Sequence, residues 1–230
     1  MNDPSQVVYN SVVKLLTGNT RRLSHIKRYS PYPALRQESV AEHTYYVSFY
    51  CLWLADRAIA MGYKVSKDLL LSRAITHDID ESMIGDIIRP VKHSNPVMKE
   101  YFNKYSEDVV AHYDSELNWL GQLNYYYKNH KDDTIEGRIL ALADLMSVVS
   151  YTNEEISVGN TYMVEVLHAS LKYFTDFIVR LYDIPVNYHQ LFYDVLYSIY
   201  KLPVISSTDP RAIAYSQELT KYDELYRIYS

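Results

Sequence analysis

Helical periodicity with almost no interruption, only 6 glycines in 230 residues, and the lack of any long apolar–polar alternation predict an all-α fold. The length suits one large domain with a substantial core. No repeat, low-complexity tract or linker divides the chain, so residues 1–230 are expected to form a single helical domain.

The elements follow in order. Gln6 to Thr17 reads as a first helix, stopped by Gly18. A shorter basic segment from about Thr20 to Tyr29 leads to a loop imposed by Pro31 and Pro33. Ser39-Val40-Ala41-Glu42 matches the capping box, a hydroxyl at N-cap and a carboxylate at N3, so the next helix starts there and runs to about Met61. Ser66 caps a helix through Leu69, Leu70, Leu71, Ala74 and Ile75 that ends near His77-Asp78. Asp80 to Val91 is expected to be a short helix and loop closed by Pro90. Asn95-Pro96 supplies an N-cap with proline at N1 and opens a polar, Tyr-rich segment to about Lys128. After the hydrophilic break Lys128-Asn129-His130-Lys131-Asp132-Asp133, a long helix spans about Thr134 to Ile156 and is punctuated by Gly159-Asn160. Amphipathic segments from about Thr161 to Tyr182 and Val186 to Leu202 end at Pro185 and Pro203, and a last helix covers about Pro210 to Ile228.

Hydrophobic residues make up 48% and charged residues 22% of the chain, ordinary values for a globular protein. The lone Cys51 lies in an apolar run, which excludes a Cys-rich zinc module and suits a reducing cytoplasm. No uninterrupted apolar run approaches the roughly 18 residues of a transmembrane helix, and no signal-like N-terminus is present. A formal charge of −5 argues against a nucleic-acid coat. Between Asp3 and Glu38, however, no acidic residue occurs, whereas Lys14, Arg21, Arg22, Lys27, Arg28 and Arg36 do; this suggests an anion site or, more simply, a solvated basic face. The 25 tyrosines are scattered without a fixed period and are assigned to core and interface packing.

Three places carry chemistry. His77 and Asp78 end an apolar helical segment. Asp144 lies in Ile139-Leu140-Ala141-Leu142-Ala143-Asp144-Leu145-Met146-Ser147-Val148-Val149, apolar on nearly every face, so its carboxylate needs an arginine, hydrogen-bond donors or a cation; a structural ion pair is the simplest alternative. His43 follows the capping box on a helix rich in Val47, Phe49, Tyr50, Leu52, Trp53 and Leu54, where a satisfied, partly buried histidine is the plain reading. Together His43, His77, Asp78 and Asp144 offer two imidazoles and two carboxylates from three helices, a mixed set suited to a divalent transition metal with open positions for water and a substrate oxygen.

His43…His77-Asp78…Asp144 resembles the H…HD…D signature of the HD-domain metal-dependent phosphohydrolases. Ser39-Val40-Ala41-Glu42-His43 looks like that family's segment around its first histidine. His77-Asp78-Ile79-Asp80-Glu81, then Gly85-Asp86-Ile87-Ile88-Arg89-Pro90-Val91-Lys92, and Ala143-Asp144-Leu145 with Glu154-Glu155 downstream are similar to its bacterial 5′-deoxynucleotidase branch. The matching motifs cover residues 28 to 155.

The resemblance implies a helical bundle of the HD-domain type, with a motif-bearing core at about 20–160 and C-terminal helices at about 161–230. It makes His43, His77, Asp78 and Asp144 the ligands of one divalent ion (Co, Mn, Fe, Ni, Zn or Mg), and it makes Glu81, beside Asp78, the carrier of a proton in catalysis. Arg28 falls at the position of the phosphate-gripping arginine, and Tyr29 stands where a tryptophan typically packs on the deoxyribose. Asp86 matches an acidic pocket residue, with a helix-cap role as the alternative. The implied activity is release of phosphate from (deoxy)nucleoside 5′-monophosphates; the alternatives are hydrolysis of deoxynucleoside triphosphates or cyclic phosphodiesters at the same site, and a non-catalytic nucleotide sensor. A small nucleotide is the expected partner, with no stable nucleic-acid complex and no membrane. A homodimer in the cytoplasm, or the host cytoplasm for a viral protein, is expected by analogy.

Overall fold

The structure is a computed structural model describing residues 4–92, 94–179, 189–200 and 202. Its elements are α1 (Pro4–Thr17), a 3-10 turn (Asn19–Ser24), α2 (Val40–Ala60), α3 (Lys67–Thr76), α4 (Glu81–Ile84), α5 (Arg89–Lys92), α6 (Pro96–Glu116), α7 (Gln122–Lys128), α8 (Ile135–Ser157), α9 (Met163–Val179) and α10 (His189–Tyr200). No sheet occurs among the described residues; Lys27 and Ser39 form an isolated antiparallel bridge. None of their helices is long and apolar enough to cross a membrane. The helix expected at about Pro210 to Ile228 lies outside the described residues.

Local capping chemistry sets the helix starts. Ser39 Oγ accepts from the Glu42 amide at 3.2 Å, and Glu42 Oε2 accepts from the Ser39 amide at 2.7 Å, which completes the capping box of α2. Ser66, Asn95 and Thr134 accept from Leu69, Met98 and Gly137 amides at the heads of α3, α6 and α8.

Two expectations change. The Tyr-rich segment is not continuous: α6 stops at Glu116 and α7 begins at Gln122. Asn118, Leu120 and Gly121 adopt positive φ in the turn, and buried Asp114 accepts the Gly121 and Asn124 amides at 2.7 and 2.9 Å. That carboxylate satisfies donors at the start of α7 and so stabilises the break. Pro90 does not close the preceding segment but lies in the first turn of α5, where its missing N–H is harmless.

The middle of α8 is apolar on nearly every face because neighbouring helices cover it. Ile139, Leu140, Leu142 and Ala143 pack in one cluster with Val47, Cys51 and Leu54 of α2, Leu70 and Ala74 of α3, Leu167 of α9, and Phe192 and Leu196 of α10. A smaller cluster joins Val109, Val110 and Tyr113 of α6 to Leu123 and Tyr127 of α7.

Two polar braces tie loops to this frame. Arg73 of α3, only 2% exposed, donates to Asp132 through both terminal nitrogens at 3.0 and 2.9 Å and to Thr134 Oγ1 at 3.0 Å. This fork fixes the turn before α8. Glu155 of α8 accepts the Leu35 and Arg36 amides at 2.8 and 2.7 Å and Asn160 Nδ2 at 2.6 Å, and so holds the proline-containing loop before α2.

The Asp132 turn lies so close to α8 that a Cβ on Gly137 would run into its backbone nitrogen and oxygen. Backbone cannot yield as a flexible side chain would, so Gly137→Ala is expected to lower the unfolding free energy by about 1–3 kcal/mol, read as a lower urea midpoint at unchanged m-value.

Candidate metal and nucleotide site

Three helices deliver the central residues. α2 places His43 one turn past its capped start, α3 ends at His77, and α8 carries Asp144 and, one turn on, Ser147. His77 Nδ1 lies 2.7 Å from the Ala74 carbonyl, which can only accept, so Nδ1 carries a hydrogen and Nε2 faces the cluster. His43 Nδ1 is 2.9 Å from Ser147 Oγ. Both Nε2 atoms are buried without a hydrogen-bond partner.

Carboxylates gather at these two nitrogens. Asp78 Oδ2 is 3.1 Å from His77 Nε2 and 3.5 Å from His43 Nε2, and Asp144 Oδ1 is 3.2 Å from His43 Nε2. One ligand atom each from His43, His77 and Asp144 lies within 4.8 Å of the others. Burial, and next the nearby Arg28 charge, lower His43 to about 4, so its ring is neutral at pH 7. Burial opposes ionisation of Asp144, but Lys131 and then His43 more than offset it and hold the carboxyl well below its usual range. Two buried imidazole Nε2 atoms turned toward the carboxylates of Asp78 and Asp144 make a mixed nitrogen/oxygen group that fits one divalent cation. Asp78 stands beside that group, its Oδ2 close to both Nε2 atoms.

The other candidates surround the cluster. Arg28, Tyr29, Glu81 and Asp86 line a cavity of about 290 Å³ together with Asp78 and Asp144. An extended clip holds this edge in place: the Arg28 amide donates to the Glu38 carbonyl at 2.9 Å and the Val40 amide to the Ile26 carbonyl at 3.0 Å. Arg28 lies 3.7 Å from Asp78 Oδ2 and 3.6 Å from Glu38 Oε2. Tyr29 sits at φ 54°, an unusual conformation for a tyrosine, with its amide donating to Asp86 Oδ2 at 2.9 Å. Its ring stacks on Tyr151 at 5.5 Å and 7°, and its hydroxyl accepts from Arg28 at 3.1 Å. Asp86 therefore braces the Tyr29 backbone and caps no helix. Burial, then the like charges of Asp78 and Asp86, push Glu81 well above the usual carboxylate range, and its Oε2 is buried without a partner.

All eight residues singled out in the sequence thus converge on one place. Three others escaped the sequence reading. Lys131 pairs with Asp144 Oδ2 at 2.5 Å, although its run read only as a hydrophilic break. Glu38, pushed up to about 7 by burial against the pull of Arg28, backs the arginine. Ser147 holds His43 and, in an apolar run, passes for a small filler.

The family model described as 5′-deoxynucleotidase YfbR-like matches residues 16–184. The 5′-deoxynucleotidase plu3092 of Photorhabdus laumondii subsp. laumondii is 30% identical over 145 residues, covering 60% of this chain and 72% of the relative. The 5′-deoxynucleotidase PM0747 of Pasteurella multocida is 25% identical over 143 residues, covering 60% of this chain and 73% of the relative. Among solved structures, an HD-domain phosphohydrolase (lin2634) from Listeria innocua superposes with a TM-score of 0.74 at 23% identity, covering 91% of this chain and 98% of the other. The cyanophage S-2L HD phosphohydrolase DatZ, bound to dA and one catalytic Zn2+ ion, superposes with a TM-score of 0.58 at 20% identity, covering 80% and 96%.

The geometry separates donors from their supports. His43→Gln and Asp144→Asn are each expected to abolish stoichiometric Mn2+ or Zn2+ retention after desalting, measured by elemental mass spectrometry. Ser147→Ala, which removes only the atom holding His43, is expected to weaken metal binding by about 10–100-fold, measured by chelator competition.

Proposed function

The chain belongs to the 5′-deoxynucleotidase YfbR-like family, within the HD-domain metal-dependent phosphohydrolases, and we propose that it releases inorganic phosphate from (deoxy)nucleoside 5′-monophosphates. The observation carrying this reading is the placement of Arg28 and Glu81 in the cavity that the Asp78 and Asp144 carboxylates open into. A phosphate-binding cation and a proton-carrying carboxyl thus lie on the rim of a metal-type donor cluster.

A divalent ion held by His43, His77, Asp78 and Asp144 would supply Lewis acidity, lowering the pKa of water and polarising a phosphoryl oxygen. The chain's own residues supply the rest. Arg28, pinned by Glu38 and by the Tyr29 hydroxyl, presents a preorganised fork to the phosphate. Glu81, its pKa raised by burial and by the neighbouring carboxylates, can give a proton to the departing 5′-oxygen, while a bound cation would draw that pKa back down. Tyr29, stacked on Tyr151, gives the sugar an aromatic wall.

One observation favours a second substrate class. Arg89 and Lys92 line the same cavity and could receive further phosphates of a nucleoside triphosphate. Product analysis separates the two, because the triphosphate reaction leaves nucleoside plus triphosphate.

Over a panel of ribo- and deoxyribonucleotides with Mn2+, Co2+ or Mg2+, inorganic phosphate and nucleoside are expected from 5′-monophosphates. Lack of metal-dependent phosphate release from every monophosphate overturns the proposal. Glu81→Gln is expected to lower kcat by about 10²–10⁴-fold with metal retention intact. Arg28→Lys is expected to raise KM by about tenfold or more, seen in steady-state kinetics at saturating metal.

A further inference from the structure

Each of the two carboxylates at the centre carries its own cation. Arg28 Nη1 lies 3.7 Å from Asp78 Oδ2, and Lys131 Nζ lies 2.5 Å from Asp144 Oδ2. Between them the same carboxylates face the imidazole nitrogens: Asp78 Oδ2 at 3.1 Å from His77 Nε2 and Asp144 Oδ1 at 3.2 Å from His43 Nε2. Both cations line the cavity that also contains Glu81.

Lys131 is not a chance surface contact. The next residue, Asp132, is gripped by buried Arg73 through two hydrogen bonds of 3.0 and 2.9 Å. Arg73 belongs to α3, the helix that ends in His77. One rigid helix therefore sets both the ligand pair and the turn that aims the lysine. The Lys131 side chain keeps 33% of its surface exposed, enough to meet a ligand without leaving Asp144.

Charge counting gives this placement a purpose. A divalent cation is balanced by Asp78 and Asp144, which leaves an arriving phosphate monoester dianion to be matched by other groups. Arg28 supplies one positive charge and Lys131 a second. Each is tethered to a different carboxylate, and both line the cavity that a phosphate would enter. We propose that Lys131 is the second phosphate-binding residue of this site, acting with Arg28 as a two-cation clamp on the transferred group. The inference rests on the phosphohydrolase reading above and adds a substrate contact to it.

Inorganic phosphate is the probe, so the test does not depend on which nucleotide is the substrate. In Mn2+-loaded protein, Lys131→Met is expected to weaken phosphate binding by about tenfold or more, measured by calorimetry and by product inhibition, and Lys131→Arg to restore most of it. Mn2+ affinity is measured separately without phosphate, and phosphate binding is compared at saturating Mn2+, so that an outer-shell loss of about 10–100-fold in metal affinity does not enter the comparison. Unchanged phosphate affinity in Lys131→Met overturns the clamp. So does a large loss of metal affinity with phosphate binding unaltered at saturating metal, which makes Lys131 a support for Asp144 only. If no nucleotide is hydrolysed yet phosphate binding still depends on Lys131, the monophosphatase reading fails and the clamp stands.

Discussion

Burying a ring nitrogen without a hydrogen-bond partner costs about 1–3 kcal/mol, and this fold does so at both His43 and His77. It also brings the carboxylates of Asp78 and Asp144 against those nitrogens. Such an arrangement is tolerable where a cation completes it. The architecture follows from the need to hold these groups together: α2, α3 and α8 converge there, and the apolar cluster of Val47, Leu54, Leu70, Leu140 and Ala143 locks the three helices.

Around this centre the supports are polar and mostly directed at backbone. Ala74 and Ser147 each take one imidazole nitrogen and leave the other aimed at the cluster. Asp86 holds the amide of Tyr29 in a conformation that a tyrosine seldom adopts alone, and Glu155 holds the amides of Leu35 and Arg36. The loop between Arg28 and Ser39 thus contains no regular element beyond a bridge but is fastened at both ends and in its middle. That fastening leaves the backbone that carries Arg28 little conformational freedom.

The charges divide by environment. Asp78 and Asp144 stay ionised beside histidines, arginine and lysine, while burial raises the pKa of Glu81, Asp86 and Glu38. Carboxyl groups of one kind are thus pushed in opposite directions by their surroundings.

Helix starts were legible in the residues because capping is local: Ser39, Ser66, Asn95 and Thr134 each reach an amide three residues on. The donor set was legible too, because an unpaired carboxylate at Asp144 in an apolar run demands a partner and the motif spacing named the rest. By itself, then, the sequence determined the all-helical class, most element boundaries and the eight candidate residues. The break between α6 and α7 was hidden, since it depends on Asp114 accepting amides of residues 121 and 124 across a turn with no proline. Only the tertiary structure decided that Asp86 braces Tyr29, that Glu38 backs Arg28 and that Lys131 sits on Asp144. Those links join residues separated by many positions through loops, and Lys131 is aimed by the Arg73–Asp132 fork, whose members lie 59 residues apart. A polar run between helices has the same composition whether it meets solvent or an active centre, and only the packing of α3 against α8 distinguishes the two.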